Sequence, residues 1–208
     1  LHLSIRRQRQ MCIRNRKIGA LAKGAHRQKG PFDSALDLLT LARVVFLRKS
    51  SGGLDLLTEA KLEHRFRPPD HDLTPLFAGY YLAELLFGLT DEYDPHPELF
   101  DVVAKTLHTL SREGKVNISP LILSFEMNAL RLLGHLPNLE QCVECGKPIA
   151  TEGHVAFGQS SGGVLCRRCR PGKNHVAQIR GESLRTLQWY TRCEDKGPRA
   201  PPYLISGE

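Results

Sequence analysis

The spacing of apolar residues changes near residue 68, from the period of β-strands to the period of helices. Between residues 54 and 63 every second position is apolar or threonine: Leu54, Leu56, Thr58, Ala60 and Leu62. This alternation predicts a half-buried strand. A turn sequence at 50–53 and an apolar run at 38–47 come before it. We therefore expect a hairpin, with a third strand at 17–22.

Beyond Pro68-Pro69-Asp70 the apolar residues recur at helical spacing. We predict helices over 73–88, 99–110, 119–133 and 183–192. The third should be central, since it is apolar on most sides, opens with Ser119-Pro120 and ends at Gly134. The first contains four aromatic residues that we expect in the core: Phe77, Tyr80, Tyr81 and Phe87.

These patterns predict an α+β chain with two domains. The first is β-rich and covers 1–67; the second is helical, covers 70–208 and contains a lobe at 140–175 rich in cysteine, glycine and basic residues. Residues 1–16 form an atypical start without a clear fold pattern. The chain begins with leucine and its first methionine is Met11, so we expect a truncated or aberrantly translated N-terminus.

The distribution of charge narrows the function classes further. Residues 1–30 hold nine Lys or Arg and no acid, whereas residues 68–138 hold ten acids and four bases. A basic segment commonly meets nucleic acid or an anionic surface; the alternative is a solvated segment without a partner. No apolar run approaches the ~20 residues that cross a bilayer. We expect no membrane partner and a cytoplasmic location.

The most specific motif is Cys142-Val-Glu-Cys145 followed, after twenty residues, by Cys166-Arg-Arg-Cys169. Two residues between cysteines let both sulfurs turn inward on a tight knuckle, and two knuckles supply four thiolates at tetrahedral angles. This spacing predicts one zinc ion. Four thiolates leave no open coordination position, so the zinc should be structural.

Two other interpretations of the cysteines are weaker. Disulfides are rare in a reducing cytoplasm. A redox pair needs one such motif, usually beside a βαβ unit that the pattern does not show. Cys12 and Cys193 are left over and are expected to be ordinary thiols.

A second candidate site is a group of basic residues around the predicted strands. We expect phosphate contacts from Lys17, Lys23, His26, Arg27, Lys29, Arg43, Arg48 and Lys49. Phe32 and Phe46 are the only aromatic candidates for base stacking there, and both also fit a core. A solvated basic loop is the alternative.

The sequence shows no Gly-rich phosphate loop, no GxSxG elbow and no clustered carboxylates. These absences give no support to the enzyme classes that carry such motifs. An enzyme of the NAD-dependent deacetylase type could carry such a zinc as an accessory, but it needs a dinucleotide loop and a parallel sheet that are not visible. A third class is a protein-interaction module on the acidic helical part, without DNA binding.

The order of these parts resembles one family. The segments that carry the resemblance are 22–29, AKGAHRQK; 55–60, DLLTEA; the helical segment 119–134; 139–146, LEQCVECG; and 166–169, CRRC. Together they resemble the DNA repair family RecO, over about residues 17–192. The chain departs from that family at its start, where a five-stranded barrel would have two further strands ahead of Lys17.

The resemblance implies an N-terminal OB barrel, here partial, and a helical C-terminal domain that carries the zinc. It implies binding of single- and double-stranded DNA, strand annealing and cooperation with RecR in loading RecA. It also implies that the protein is not an enzyme, since annealing makes and breaks no bond. It also implies contact between the helical domain and the tail of single-strand-binding protein. The expected location is the bacterial cytoplasm, in association with the nucleoid.

Overall fold

The computed structural model describes residues 6–13, 16–25, 32, 35–49, 53–68, 72–112 and 117–192. The chain divides into two compact units, Leu1–Ile118 and Ser119–Glu208. Each unit combines helices with one small sheet, so the described architecture is α+β, as predicted.

The first unit holds a four-stranded sheet and two helices. Its elements are β1 (Arg6–Ile13), β2 (Arg16–Lys23), β3 (Thr40–Leu47), β4 (Asp55–Arg65), α1 (Thr74–Leu89) and α2 (Pro97–Leu110). The strand order is β1-β2-β4-β3, with β2 and β4 parallel and the other two pairs antiparallel. The predicted hairpin, the third strand and the first two helices are confirmed. Within the described residues the sheet is open, so no closed barrel is seen.

A β-bulge changes which residues of β4 face the core. Val45 pairs with Glu59 but Phe46 pairs with Leu57, which leaves Thr58 as an extra residue. An extra residue reverses the alternation of side chains along a strand. Leu57 is therefore buried on one side of the bulge and Ala60 on the other. The single face that we predicted from Leu54 to Leu62 is wrong for this reason.

Strand β1 was not expected. Its sequence, RRQRQMCI, has no apolar alternation, so residues 6–13 carried no strand signal. The strand nevertheless pairs with β2 in an unbroken antiparallel register from Arg6–Lys23 to Ile13–Arg16. Backbone pairing, which sequence periodicity does not report, places it.

The aromatic residues of α1 are not core residues. Its buried face consists of small and aliphatic residues: Pro75, Ala78, Gly79, Leu82 and Leu86. Phe77, Tyr80, Tyr81 and Phe87 are each between 41% and 63% exposed. The expectation that these four rings form the core is therefore wrong. Helix α1 packs closely against Leu39 at Gly79. A Cβ on this glycine would lie only 2.7 Å from Leu39 Cδ1.

The second unit holds two helices and a three-stranded antiparallel sheet. Its elements are α3 (Ile118–Leu132), β5 (His154–Gly158), β6 (Gly163–Leu165), β7 (Val176–Arg180) and α4 (Gly181–Arg192), with strand order β6-β5-β7. Both helices were predicted, whereas the three strands were not. Helix α3 ends at Leu132, and Gly134 closes it as expected, with a φ of +74°. The following His135 N–H donates to the Leu130 carbonyl over 2.7 Å. No described helix is both long enough and apolar enough to span a membrane.

Candidate metal centre and basic surface

Each cysteine pair lies on a tight turn. In the first knuckle, Cys142–Gly146, the Gly146 N–H donates to the Cys142 carbonyl over 2.8 Å, and Gly146 has a φ of +69°. In the second knuckle, Cys166–Arg170, the N–H groups of Cys169 and Arg170 both donate to the Cys166 carbonyl over 3.1 Å. These bonds turn both cysteines of a pair toward the same side.

A short backbone ladder brings the two knuckles together. Asn138 N–H donates to Gly162 over 3.0 Å, and Val164 N–H donates back to Asn138 over 2.9 Å. Val143, inside the first knuckle, donates to the Val164 carbonyl over 3.1 Å. Strand β6 runs directly into Cys166, so this ladder fixes where the second pair begins. A Cβ at Gly163 would lie 2.3 Å from the Asn138 carbonyl oxygen, so only glycine fits there.

The four sulfur atoms converge. All four Sγ atoms, of Cys142, Cys145, Cys166 and Cys169, lie within 4.8 Å of one another. The Cys145 and Cys166 sulfurs are 3.8 Å apart. Tetrahedral bonds of ~2.3 Å place sulfurs about 3.8 Å apart, so the group fits a four-thiolate metal ion. None of the four is in a disulfide.

The pKa values of the thiols shift in different directions. Burial of Cys142 raises its pKa, but backbone N–H groups of Cys166, Glu144 and Cys145 outweigh this and lower it to about 6. The Cys166 N–H lies 3.4 Å from that sulfur. The pKa of Cys169 rises to about 12, through its contact with Cys166, burial and the other two sulfurs. A divalent cation would offset the repulsion between neighbouring thiolates. Because the thiolates are the metal ligands, metal binding must weaken when falling pH protonates them.

Helix α4 anchors the segment that leads into the first knuckle, a contact that the sequence did not indicate. The buried Gln188 side chain donates to the Leu139 carbonyl over 2.7 Å. Arg192 donates from one nitrogen to both Glu140 oxygens, each over 2.7 Å. Both contacts span about fifty residues of sequence, so only the fold reveals them.

The predicted basic residues fall into four groups, of which the last is Lys17 alone. His26, Arg27 and Lys29 lie outside the described residues. Lys23 and Lys49 are exposed at the ends of β2 and β3, and no side-chain partner is seen for either within the described part of the chain. Arg43 pairs with Glu63 at 2.7 Å, and Arg48 lies over the Tyr93 ring at 5.3 Å. Phe32 is buried in the core of the first unit and Phe46 packs against it, so neither is free to stack a base.

Lys17 has a structural role and does not lie on an exposed surface. It is buried, and its Nζ donates to the carbonyls of Phe87, over 2.9 Å, and Thr90. The ammonium also lies 4.7 Å from the centre of the Phe87 ring. It therefore caps the C-terminal end of α1, where a helix attracts cations. Lys17 is not available for the phosphate contact that we expected of it.

Replacing Lys17 by methionine should lower the stability of the first unit by about 2 kcal/mol, because two carbonyls lose a charged donor. Urea unfolding followed by circular dichroism measures this loss. The salt dependence of any DNA binding should stay unchanged in the variant. A shallower dependence with unchanged stability would contradict the capping role.

Fold and site together define an α+β protein in which a cluster of four cysteines that could hold a metal ion lies beside a small three-stranded sheet. The sequence model of the family described as "Recombination protein O C terminal" matches residues 70–196. DNA repair protein RecO of Rhodopirellula baltica is 39% identical over 193 residues, which are 92% of this chain and 69% of that protein. The RecO protein of Anaeromyxobacter sp. (strain K) is 32% identical, over 89% of this chain and 74% of its own length. This chain belongs to the RecO family.

Proposed function

We propose that this chain is a DNA-binding recombination mediator in DNA repair, which acts by binding and not by bond-making catalysis. The observation that carries the proposal is the family match over 70–196, together with relatives named DNA repair protein RecO that align with about nine tenths of the chain. The deacetylase alternative gains no support, since the described sheets contain a single parallel strand pair, β2 with β4.

We propose the domain division 1–67 and 70–208, which differs from the two compact units in that it assigns α1 and α2 to the second domain. The first is a partial OB-like barrel built on the sheet β1-β2-β4-β3, and the second is the helical domain with the lobe 140–175. The start of the family match at residue 70 supports the boundary. The curvature that a barrel requires is supported by the bulge at Thr58, since bulges bend and twist strands.

The metal ion is proposed to be one structural Zn²⁺. Cys142, Cys145, Cys166 and Cys169 supply four soft thiolate ligands, for which zinc is the usual partner. The sulfur separations support this choice. When bound, the ion neutralises part of the thiolate charge and fixes the two knuckles relative to each other. It takes no part in a reaction, because four thiolates leave it no free position.

DNA phosphates are proposed to contact the cations beside the strands of the first unit. Among described residues, Lys23 and Lys49 are the best placed, with Arg43 and Arg48 at the same sheet; His26, Arg27 and Lys29 belong to the same proposal. Binding both single and double strands would let the protein bring complementary strands together. Cooperation with RecR in loading RecA, in the bacterial cytoplasm at the nucleoid, is proposed on family grounds alone.

The tail of single-strand-binding protein is proposed as a further partner. Supporting this, the exposed rings of α1, at Phe77, Tyr80, Tyr81 and Phe87, offer an apolar surface to a peptide. If the chain is a pure interaction module, it should bind such a peptide and fail to bind DNA.

Fluorescence anisotropy with a labelled oligothymidine tests the proposed function. Log affinity should fall linearly with log salt, and the variant Lys23→Ala/Lys49→Ala should lower the slope by about 1.4, or ~0.7 for each lost phosphate contact. The control Lys105→Ala/Arg112→Ala removes the same charge from exposed positions of the same unit and should behave as wild type. Affinity that is independent of salt would refute the phosphate contacts.

A further inference from the structure

The second knuckle carries three arginines, Arg167, Arg168 and Arg170, and all three are exposed. Within the described part of the chain, none of their side chains has a hydrogen bond or an ion pair. Three guanidinium groups thus lie within four consecutive positions without neutralisation. Like charges this close repel one another, and a bound anion would relieve this repulsion.

Several other cations of the second unit differ from this cluster because they have partners. Lys173 pairs with Glu144 at 2.6 Å, and Arg192 forms a forked contact with Glu140. Arg185 donates to the Thr151 carbonyl over 3.3 Å. The lobe 140–175 contains three acids against five Lys or Arg, and two of those acids are already engaged. Within the described residues, the three knuckle arginines and Lys147 are the cations of the lobe without a side-chain partner.

The backbone beneath these arginines is fixed. The two bonds to the Cys166 carbonyl hold the turn, and a Lys173 N–H to Arg170 carbonyl bond of 3.2 Å continues it. Because the turn is preordered, less backbone freedom is lost when the side chains bind a ligand. Arginine forms paired hydrogen bonds with phosphate oxygens through its planar fork. Residues 166–174 contain no aromatic ring that could stack a base.

We propose that Arg167, Arg168 and Arg170 bind the phosphates of the DNA backbone, as a contact surface separate from the cations beside the strands of the first unit. This inference rests on the proposed DNA-binding function. The surface reads no base, so its contribution is independent of sequence and depends on salt. It gives the four-cysteine lobe a direct role in binding, beyond holding its own fold.

A rival role for the arginines is internal. Four thiolates with one Zn²⁺ carry a net charge of about −2, and nearby guanidinium groups could balance it. The two roles predict different losses when the arginines are removed. Charge balance predicts that their removal weakens metal retention; phosphate binding predicts that it weakens DNA binding while metal retention stays the same.

The test compares two triple variants of the full chain. Arg167→Ala/Arg168→Ala/Arg170→Ala removes the knuckle cluster, and Arg131→Ala/Arg180→Ala/Arg185→Ala removes the same charge from positions of the second unit outside the lobe 140–175. With a labelled oligothymidine, the knuckle variant should bind about tenfold more weakly at low salt, with a salt slope lower by about 2. The control should stay within about twofold of wild type, and both variants should keep zinc against a chelator. A knuckle variant that binds like the control would overturn the inference.

Arginine labelling of the wild-type protein gives a second readout that does not depend on how the variants fold. Phenylglyoxal modifies exposed guanidinium groups, and mass spectrometry locates the label. Oligothymidine should protect Arg167, Arg168 and Arg170 and leave Arg185 unprotected. Binding without this protection rejects the knuckle surface alone. Failure of the unmodified protein to bind oligothymidine rejects the proposed function, and the inference with it.

Discussion

Replacing Cys142 and Cys145 by serine should abolish zinc binding and unfold the lobe 140–175. Binding of zinc to four thiolates is worth on the order of 10 kcal/mol, comparable with the whole stability of a small domain. The apolar residues packed around the site cannot replace it, because the buried cluster there is small: Cys142, Ala156 and Leu165. Metal analysis should give one zinc per chain for the wild type and none for the variant.

The control for this substitution is Cys193→Ser, which makes the same chemical change at a cysteine outside the two knuckles. It should keep one zinc. Thermal unfolding followed by Trp189, the single tryptophan of the chain, reports on the second unit because this residue packs against its core. A double-serine variant that keeps both its zinc and its transition would show that the four cysteines do not form the metal site.

Replacing Gly163 by alanine should have the second largest effect. The added methyl would lie 2.3 Å from the Asn138 carbonyl oxygen and 2.8 Å from Val143 Cγ1, so the ladder between the knuckles must open. Overpacking against backbone costs about 3 kcal/mol. Urea unfolding followed by Trp189 fluorescence should shift by this amount, and zinc should be lost to a weaker chelator than in the wild type.

Gly88→Ala is the matched control, since a Cβ there meets nothing within 4 Å. It lies in α1 of the first unit, where alanine should raise helix stability by about 0.5–1 kcal/mol and leave the Trp189 transition unchanged. A Gly163→Ala protein as stable as the wild type would mean that the two knuckles are not held together by the Asn138 ladder.

The sequence predicted that the four cysteines converge because their signal is local. Two residues between cysteines favour a tight turn, and two such turns can bring all four sulfurs to one position. Helices were predictable for a similar reason, since α2 and α4 each show an apolar stripe at a period that local backbone geometry explains. Their ends were found within about two residues, as at Gly181 rather than Ser183.

The features that escaped prediction depend on distant partners. Strand β1 is placed by pairing with β2, and the phase of β4 changes at Thr58 because of its pairing with β3. Lys17 looked like an open cation until the end of α1, some seventy residues away, proved to be its partner. The rings of α1 are exposed because small residues occupy the face that packs. Charge and hydrophobicity alone do not distinguish these cases.

X-ray absorption at the zinc edge on the purified 208-residue chain tests the central claim most directly. Four sulfur neighbours at about 2.3 Å, with one zinc per chain, are the expected result. A first shell containing nitrogen or oxygen, or a protein purified without metal and with its two cysteine pairs oxidised to disulfides, would contradict the assignment of Cys142, Cys145, Cys166 and Cys169 as a closed structural zinc site.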